Sequence, residues 1–212
     1  MDAEFFRAWI AEIAAVVEAQ RDHLTQLDSA IGDADHGINL ARGFGAVQTA
    51  LAAADTPTPG SVLLLTGSTL ISKVGGASGP LYGTWFRRAA KTLGDKPEVE
   101  LPDLAGALTA ALEGVKKLGA AIEGDKTMVD AQAPAVAAFG QAVSEGAAAP
   151  AAFAALTDAA DAGAHDTIEM QARKGRASYL GPRSVGHEDP GAASSALILH
   201  ALRDVAARQA SG

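Results

Sequence analysis

The stretch LDSAIGDADHGINLARGF at residues 27–44 contains three aspartates, Asp28, Asp33 and Asp35, flanked by glycines. Carboxylates this close together repel one another unless a cation neutralises them, because unit charges a few ångström apart interact strongly outside bulk water. The glycines allow the backbone to turn sharply around a ligand, and apolar residues with helical spacing lie on both sides of the aspartates. The stretch therefore predicts a cation-binding loop between two helices.

On both sides of this loop, apolar spacing and helix breakers divide the chain into eight predicted helices. They run from about residue 3 to 27, from Gly37 to the TPTPG breaker at 56–60, over 61–73, from Pro80 through Leu93, from Pro102 through Ile122, over 127–145, from Pro150 through Met170, and over 192–209. A composition of 48% hydrophobic but only 5% aromatic residues suits closely packed helices. No linker divides the 212 residues, so we expect one all-α domain over 1–212.

Charge and composition exclude several classes of function. A formal net charge of -8 and a pI near 5 argue against a nucleic-acid-binding surface, which needs clustered Lys and Arg. The absence of cysteine excludes disulfides and thiolate metal sites and agrees with a reducing cytoplasm. The sequence has neither a signal-peptide pattern nor an apolar run long enough to cross a membrane, so we expect no membrane association and a cytoplasmic location.

The type of cation follows from the ligands. An all-oxygen set favours Mg²⁺, Mn²⁺ or Ca²⁺ over zinc or copper. A calcium EF-hand counted from Asp33 would need Gly and Glu at its sixth and twelfth positions, which are Ile38 and Phe44 here, so that class is excluded. Magnesium commonly completes its shell with phosphate oxygens, which suggests one or two Mg²⁺ ions holding a nucleotide. The alternative is that the aspartates only cap the following helix.

Two further loops could contribute to such a site. GGASGP at 75–80 could bind phosphate through backbone amides at a helix N-terminus, or it could be a tight turn between helices. The sequence contains neither a Walker motif nor G-x-G-x-x-G. The loop at 175–191 contains Arg176, which could bind phosphate, or it could be a solvated surface loop. His36 could contact phosphate, support the aspartates from behind, or bind metal.

Four motifs in order give the chain a specific resemblance. They are LDSAIGDADHGINLARGF at 27–44, GGASGPLYG at 75–83, GDKTMVDA at 124–131 and KGRASYLGPRSVGHEDPGA at 174–192. With them the chain resembles, over nearly its whole length, the nucleotide-binding L subunit of bacterial dihydroxyacetone kinase of the phosphotransferase-system type. The resemblance implies an eight-helix antiparallel barrel with the nucleotide at one end.

The resemblance also implies the roles of individual residues. Asp28, Asp33 and Asp35 would bind two Mg²⁺ ions that bridge the nucleotide phosphates. The implied contacts to ADP or ATP are His36, Gly37, Ile38, Asn39, Ala77 and Ser78 at the phosphates, Gly119 and Met128 near the base, and Arg176, Glu188, Asp189, Pro190 and Gly191 in a lid. No single residue is implied as a catalytic acid, base or nucleophile.

In that family, ADP on the L subunit accepts a phosphoryl group from a phosphohistidine M subunit. The phosphoryl group then passes to dihydroxyacetone on a K subunit, giving dihydroxyacetone phosphate. Two alternatives stay open: an L-type subunit of an ATP-dependent kinase for another triose or tetrose, and a nucleotide-loaded module that binds a transcription regulator. A homodimer is also open.

Overall fold

The computed structural model describes residues 1–210, and over this range the chain is all-helical. The helices are α1 (Ala3–Ala19), α2 (Arg21–Ile31), α3 (His36–Ala53), α4 (Pro59–Lys73), α5 (Ser78–Leu93), α6 (Leu101–Gly119), α7 (Met128–Ser144), α8 (Ala149–Asp166) and α9 (Pro190–Ala210). Thr167–Glu169 and Arg176–Ser184, which lie between α8 and α9, are in 3-10 conformation, and the second is interrupted at Gly181. The prediction of an all-α fold is confirmed.

The predicted first helix, 3–27, is wrong as a single element. Gln20, with φ -98° and ψ 7°, ends α1, and α2 then restarts and continues to Ile31. Apolar spacing does not reveal this break, because Val17 before it and Leu24 after it are both fully buried. As a result Asp28 lies within a helix rather than after one.

Eight of the helices close into a ring. α1 packs on α3, each helix from α3 to α8 packs on the next, and α9 returns to α1, while α2 lies against α3 and α9. Aromatic contacts close this ring on the inside: the Trp9 and Trp85 ring centroids are 6.0 Å apart, and Phe86 contacts both rings. Trp9 Nε1 also donates to Ile198 O at 3.0 Å, which joins α1 to α9. The barrel expected from the sequence is therefore present.

The antiparallel order of the ring determines which loops meet. Because short connections reverse the chain direction, alternate loops lie at the same end of the barrel. The segments 32–35, 74–77, 120–127 and 167–189 therefore share one end, and these hold the four sequence motifs. Within residues 1–210, no helix is long and apolar enough to cross a membrane.

Candidate functional site

The three aspartates converge at this end of the barrel. Ligand oxygens of Asp28, Asp33 and Asp35 all lie within 4.8 Å of one another, with Asp28 buried, Asp35 half-buried and Asp33 exposed. An all-carboxylate set with open, solvent-facing positions suits a hard cation that keeps water or phosphate in its shell. The residues present therefore fit magnesium.

Backbone groups hold Asp28 in place. Its Oδ2 accepts hydrogen bonds from the amides of Asp35 at 2.9 Å and His36 at 3.2 Å, so it caps the start of α3 from the preceding helix. Asp35 occupies the N-cap position itself, yet its side chain makes no capping bond within the described chain. Helix capping thus explains the position of Asp28 alone. The carboxylates of Asp33 and Asp35 remain candidate cation ligands.

His36 joins three elements below the aspartates. Its Nε2 is 2.8 Å from Ser194 Oγ in α9, and its Nδ1 is 3.1 Å from Ser78 Oγ in α5. Burial lowers the pKa of His36, although Asp28 and Asp35 oppose this effect. A neutral imidazole with both ring nitrogens hydrogen-bonded joins the start of α3 to α5 and α9. Of the three roles open from the sequence, the structure therefore favours support from behind the aspartates.

A chain of buried hydroxyls continues from His36 into the barrel. Tyr82 Oη is 2.6 Å from Ser194 Oγ and 3.1 Å from Ser195 Oγ, and Gln132 Nε2 donates to Ser195 Oγ at 3.0 Å. Sequence reasoning missed this network, because its members lie on three different helices and share no local pattern. It fixes α5, α7 and α9 relative to one another beneath the site.

Arg176 reaches the aspartates from the long segment before α9. Its Nη2 lies 3.0 Å from Asp33 Oδ2, and two thirds of its side chain is exposed. An exposed ion pair of this kind contributes little to stability. The guanidinium is therefore available to move toward an anion bound beside the aspartates.

A cleft of about 350 Å³ lies between these groups. Most of the predicted site residues line it: Asp28, Asp33, Asp35, His36, Ala77, Ser78, Gly119, Met128, Arg176, Asp189, Pro190 and Gly191. Leu81, Val115 and Ala121 add an apolar wall beside Gly119 and Met128. A polar end and an apolar wall match the two ends of a nucleotide, its phosphates and its base.

Four of the predicted contacts do not line the cleft. Gly37 packs on α2 so closely that a Cβ there would be 2.0 Å from Arg21 O. Ile38 is half exposed and borders an outer groove, and Asn39 Oδ1 accepts from Arg42 Nη2 at 2.8 Å. Glu188 is half-buried beside the cleft residue Asp189.

The motif GDKTMVDA holds two residues that sequence reasoning did not single out, Lys126 and Asp130. Asp130 is buried and accepts from the amides of Gly124 at 2.5 Å and Thr127 at 2.7 Å, which shapes the turn before α7. Lys126 is almost fully buried and lines the cleft. The sequence did contain a signal for these two residues, because they are oppositely charged and lie in and directly after a turn that contains Gly124.

Asp189 begins α9 at the cleft. Its Oδ2 accepts from the amide of Ala192 at 2.8 Å, in the manner of a helix cap. Burial raises the pKa of Asp189 to about 7, with a further contribution from the negative charge of Asp130. The carboxyl group therefore changes charge near neutral pH when no cation is bound.

Comparison with known proteins gives a consistent result. Residues 30–204 match the family model described as the DAK2 domain. The chain is 43% identical over 194 residues to the PEP-dependent dihydroxyacetone kinase, ADP-binding subunit DhaL, of Escherichia coli, covering 92% of each chain. It is also 43% identical over 204 residues to the corresponding subunit of kinase 2 of Listeria innocua, covering 95% of this chain and 94% of that one.

The fold is also similar to a solved structure. The crystal structure of the dihydroxyacetone kinase from C. freundii in complex with AMP-PNP and Mg²⁺ superposes with a TM-score of 0.73 at 28% identity. The match covers 96% of this chain but only 34% of that kinase. This chain therefore corresponds to about a third of the larger protein.

Proposed function

Because the chain belongs to the DAK2 domain family, we propose that it is the ADP-binding subunit of a phosphotransferase-type dihydroxyacetone kinase. In this role it holds ADP with Mg²⁺, which accepts a phosphoryl group from a phosphohistidine M subunit. The phosphoryl group then passes to dihydroxyacetone on a K subunit and gives dihydroxyacetone phosphate. The observation that carries the proposal is the convergence of Asp28, Asp33 and Asp35 at a cleft with an apolar wall.

The polar end of the cleft would hold the phosphates. Asp28, Asp33 and Asp35 provide the carboxylates for two Mg²⁺ ions, since three separate side chains can bridge more than one cation. When bound, Mg²⁺ supplies neutralisation of phosphate charge during transfer. Residues 75–78 line the same cleft and would offer the Ser78 hydroxyl and backbone amides, and Arg176, 3.0 Å from Asp33, would add a guanidinium. No protein nucleophile is needed, because phosphoryl transfer depends mainly on positioning and charge.

The contacts implied by the resemblance fall into two groups, residues that line the cleft and residues that do not. Ala77, Gly119, Met128, Asp189, Pro190 and Gly191 would touch the nucleotide directly, as would Ser78, whereas His36 would hold the surrounding elements in place through Ser78 and Ser194. Gly37, Ile38, Asn39 and Glu188 lie outside the cleft lining. We propose that Gly37 serves the close packing of α3 on α2, and that the other three contribute through backbone atoms or the rim.

The rim of the cleft suits partner subunits. Six large apolar side chains are exposed at this end of the barrel: Ile38, Ile71, Leu118, Ile122, Tyr179 and Val185. Elsewhere in residues 1–210, Leu64 is the one other exposed large apolar residue. Exposed apolar groups at the end of the barrel that holds the cleft indicate a surface that is covered during function. We propose that the K and M subunits dock here in turn, and that the protein acts in the cytoplasm as one domain over 1–212.

Mass spectrometry of small molecules released by denaturing the purified protein tests the nucleotide directly. We expect ADP to survive extensive dialysis against Mg²⁺ buffer. Loss of all nucleotide on dialysis would contradict a retained ADP, while phosphoryl transfer from free ATP would then favour the kinase alternative. Mixing the chain with K and M subunits, phosphoenolpyruvate and the general phosphotransferase proteins should produce dihydroxyacetone phosphate. Failure to do so with bound ADP present would favour the regulator-binding alternative.

The aspartates are tested with Asp33→Asn, which removes one anionic ligand and keeps the shape of the side chain. We expect ADP retention and Mg²⁺ dependence to weaken together, by about tenfold or more. Asp22→Asn is the matched control, since Asp22 is exposed on the same helix as Asp28 and lies outside the cleft lining. Unchanged ADP retention in Asp33→Asn would contradict the proposed metal site.

A further inference from the structure

Lys126 is the most deeply buried charged residue among those that the structure describes, with only 1% of its surface exposed. Its Nζ donates to three backbone carbonyl oxygens, of Thr167 at 2.6 Å, Met170 at 3.1 Å and His187 at 2.5 Å. Removing an ammonium group from water is costly unless its protons find good acceptors. Three carbonyl groups meet this requirement.

The same geometry limits what Lys126 can do. An ammonium group has three donors and no acceptor, and here each donor has a carbonyl partner. Although Lys126 lines the cleft, it has no proton left for a phosphate oxygen. Its role is therefore different from that of a lysine that binds phosphate in a P-loop.

The three carbonyls belong to the two ends of one segment, residues 167–189. Thr167 and Met170 lie where this segment leaves α8, and His187 lies just before α9. Nearby bonds join the same two ends: Gly186 N donates to Ile168 O at 2.7 Å, and Asp189 N donates to Thr167 Oγ1 at 2.9 Å. Lys126 sits at the centre of this junction and connects it to the turn before α7.

The middle of the segment is much less constrained. Tyr179 is 88% exposed, and the Arg176 side chain is 67% exposed where it approaches Asp33. A second link from the Lys126 turn reaches its first half, where Arg173 N donates to Asp125 O at 3.0 Å. The segment is thus fixed at its base by buried hydrogen bonds, while its tip is mostly exposed and is held by the Arg176–Asp33 pair and by the bond from Ala172 N to Ser184 Oγ.

The backbone at Lys126 is itself unusual. Its φ of 61° is left-handed, a conformation that costs a non-glycine residue about 1 kcal/mol or more. Asp130 holds the turn on both sides by accepting from the amides of Gly124 and Thr127. This strained turn directs the Lys126 side chain inward, beneath the 167–189 segment.

We propose that Lys126 is a positioning residue that clamps the base of the 167–189 segment, so that Arg176 stands over Asp33 and the first turn of α9 faces the cleft. The consequence for nucleotide retention rests on the function proposed above. The clamp itself is a property of the nucleotide-free protein. A result that contradicts the clamp can therefore be distinguished from a result that contradicts the proposed nucleotide binding.

The test compares Lys126→Met with the wild-type protein by hydrogen–deuterium exchange mass spectrometry without nucleotide. Methionine keeps the length of the side chain and removes all three donors. We expect faster exchange confined to residues 167–191, and preferential trypsin cleavage after Lys174, Arg176 and Arg183. The helices α1 to α8 and residues 192–210 of α9 should stay as protected as before. Lys117→Met is the control, because Lys117 is exposed at the end of α6, and it should leave both patterns unchanged.

Two results would overturn the proposal. One is wild-type exchange over 167–191 in Lys126→Met, and the other is faster exchange spread evenly over all helices, which would indicate a general loss of stability. If Lys126→Met is insoluble, Lys126→Arg replaces it. We expect the planar guanidinium not to reproduce the three bonds of the ammonium group and therefore to loosen the same segment.

Calorimetry with ADP and Mg²⁺ then measures the effect on binding. We expect the dissociation constant of Lys126→Met to rise about tenfold, because Arg176 and the start of α9 are no longer held at the cleft. An unchanged dissociation constant, with the segment loosened as expected, would show that the clamp does not serve nucleotide binding and would overturn that part. Absence of ADP binding in the wild-type protein would instead contradict the function proposed above.

Discussion

Gly32 lies directly against the carboxylate of Asp28, so that a Cβ at position 32 would be 1.9 Å from Asp28 Oδ1. No side chain fits there without moving the carboxylate away from the amides of Asp35 and His36. Position 32 therefore requires a residue without a side chain, because the Asp28 carboxylate occupies the space.

Gly32→Ala should therefore act on the site more than on the fold. We expect Mg²⁺-dependent ADP retention to fall about tenfold, because the displaced Asp28 no longer faces Asp33 and Asp35. Gly45→Ala is the control: nothing lies within 4 Å of a Cβ at that helical position, and the change should stabilise α3 by about 0.5 to 1 kcal/mol. Mass spectrometry of the ADP that stays bound after dialysis in Mg²⁺ buffer measures the first effect, and thermal unfolding measures the second. Equal ADP retention in the two variants would contradict the role of Gly32.

We expect Arg176→Gln to lower phosphoryl-transfer activity while leaving the stability of the protein nearly unchanged. The Arg176–Asp33 ion pair is exposed, so we expect its loss to change the free energy of unfolding by less than about 1 kcal/mol. Phosphoryl transfer in the reconstituted system should nevertheless fall by at least about tenfold, because the guanidinium no longer reaches the bound phosphates. Arg183→Gln, in the same segment but outside the cleft lining, is the control. Wild-type transfer rates in Arg176→Gln would rule out this contribution.

The charge of Asp189 should affect stability in the metal-free, nucleotide-free protein. Burial raises its folded-state pKa to about 7, above the ordinary 3.8, so the folded protein binds the proton more tightly than the unfolded chain does. The contribution of this group to the free energy of unfolding therefore falls as pH rises from about 4 to about 7, and is constant above that range.

Asp189→Asn removes this titration and keeps an oxygen that can cap α9. We expect it to stabilise the protein relative to wild type more at pH 8 than at pH 4.5, by on the order of 1 to 3 kcal/mol. Urea unfolding at the two pH values measures the difference. Asp158→Asn, an exposed site on α8, should show no such difference. A pH-independent effect of Asp189→Asn would contradict the raised pKa.

Close packing of α7 on α8 depends on Gly163. A Cβ there would be 2.1 Å from Asp130 O, a backbone atom that cannot move independently of α7. We expect Gly163→Ala to destabilise the protein by about 1 to 3 kcal/mol. Gly140→Ala, with open space at its Cβ, should be neutral or stabilising in the same urea measurement. Equal stability of the two variants would show that the helices can separate without cost.

Local patterns in the sequence account for much of the fold. Apolar spacing and the prolines at 59, 102 and 150 locate most helices to within a few residues, because a helix buries one face at a fixed period and proline is favoured in its first turn. Pro134, in the interior of α7, does not follow this preference. The aspartate motif is equally local, since its ligands come from eight consecutive residues that one turn brings together.

Other features depend on contacts that no local pattern records. The break at Gln20 is invisible to periodicity, because buried residues keep the same spacing on either side of it. His36 is braced by Ser194, which lies 158 residues away, and its role could not be chosen before that partner was known.

Residues near one another in the chain were enough to predict the all-helical fold, the three aspartates as candidate cation ligands, and the loops around them. The folded structure was needed to show that, of the three aspartates, Asp28 alone caps a helix, that His36 lies between Ser78 and Ser194, and that Lys126 donates to both ends of the 167–189 segment. No local pattern could predict these contacts, because closing the ring brings together residues whose pairing is set by packing rather than by sequence spacing.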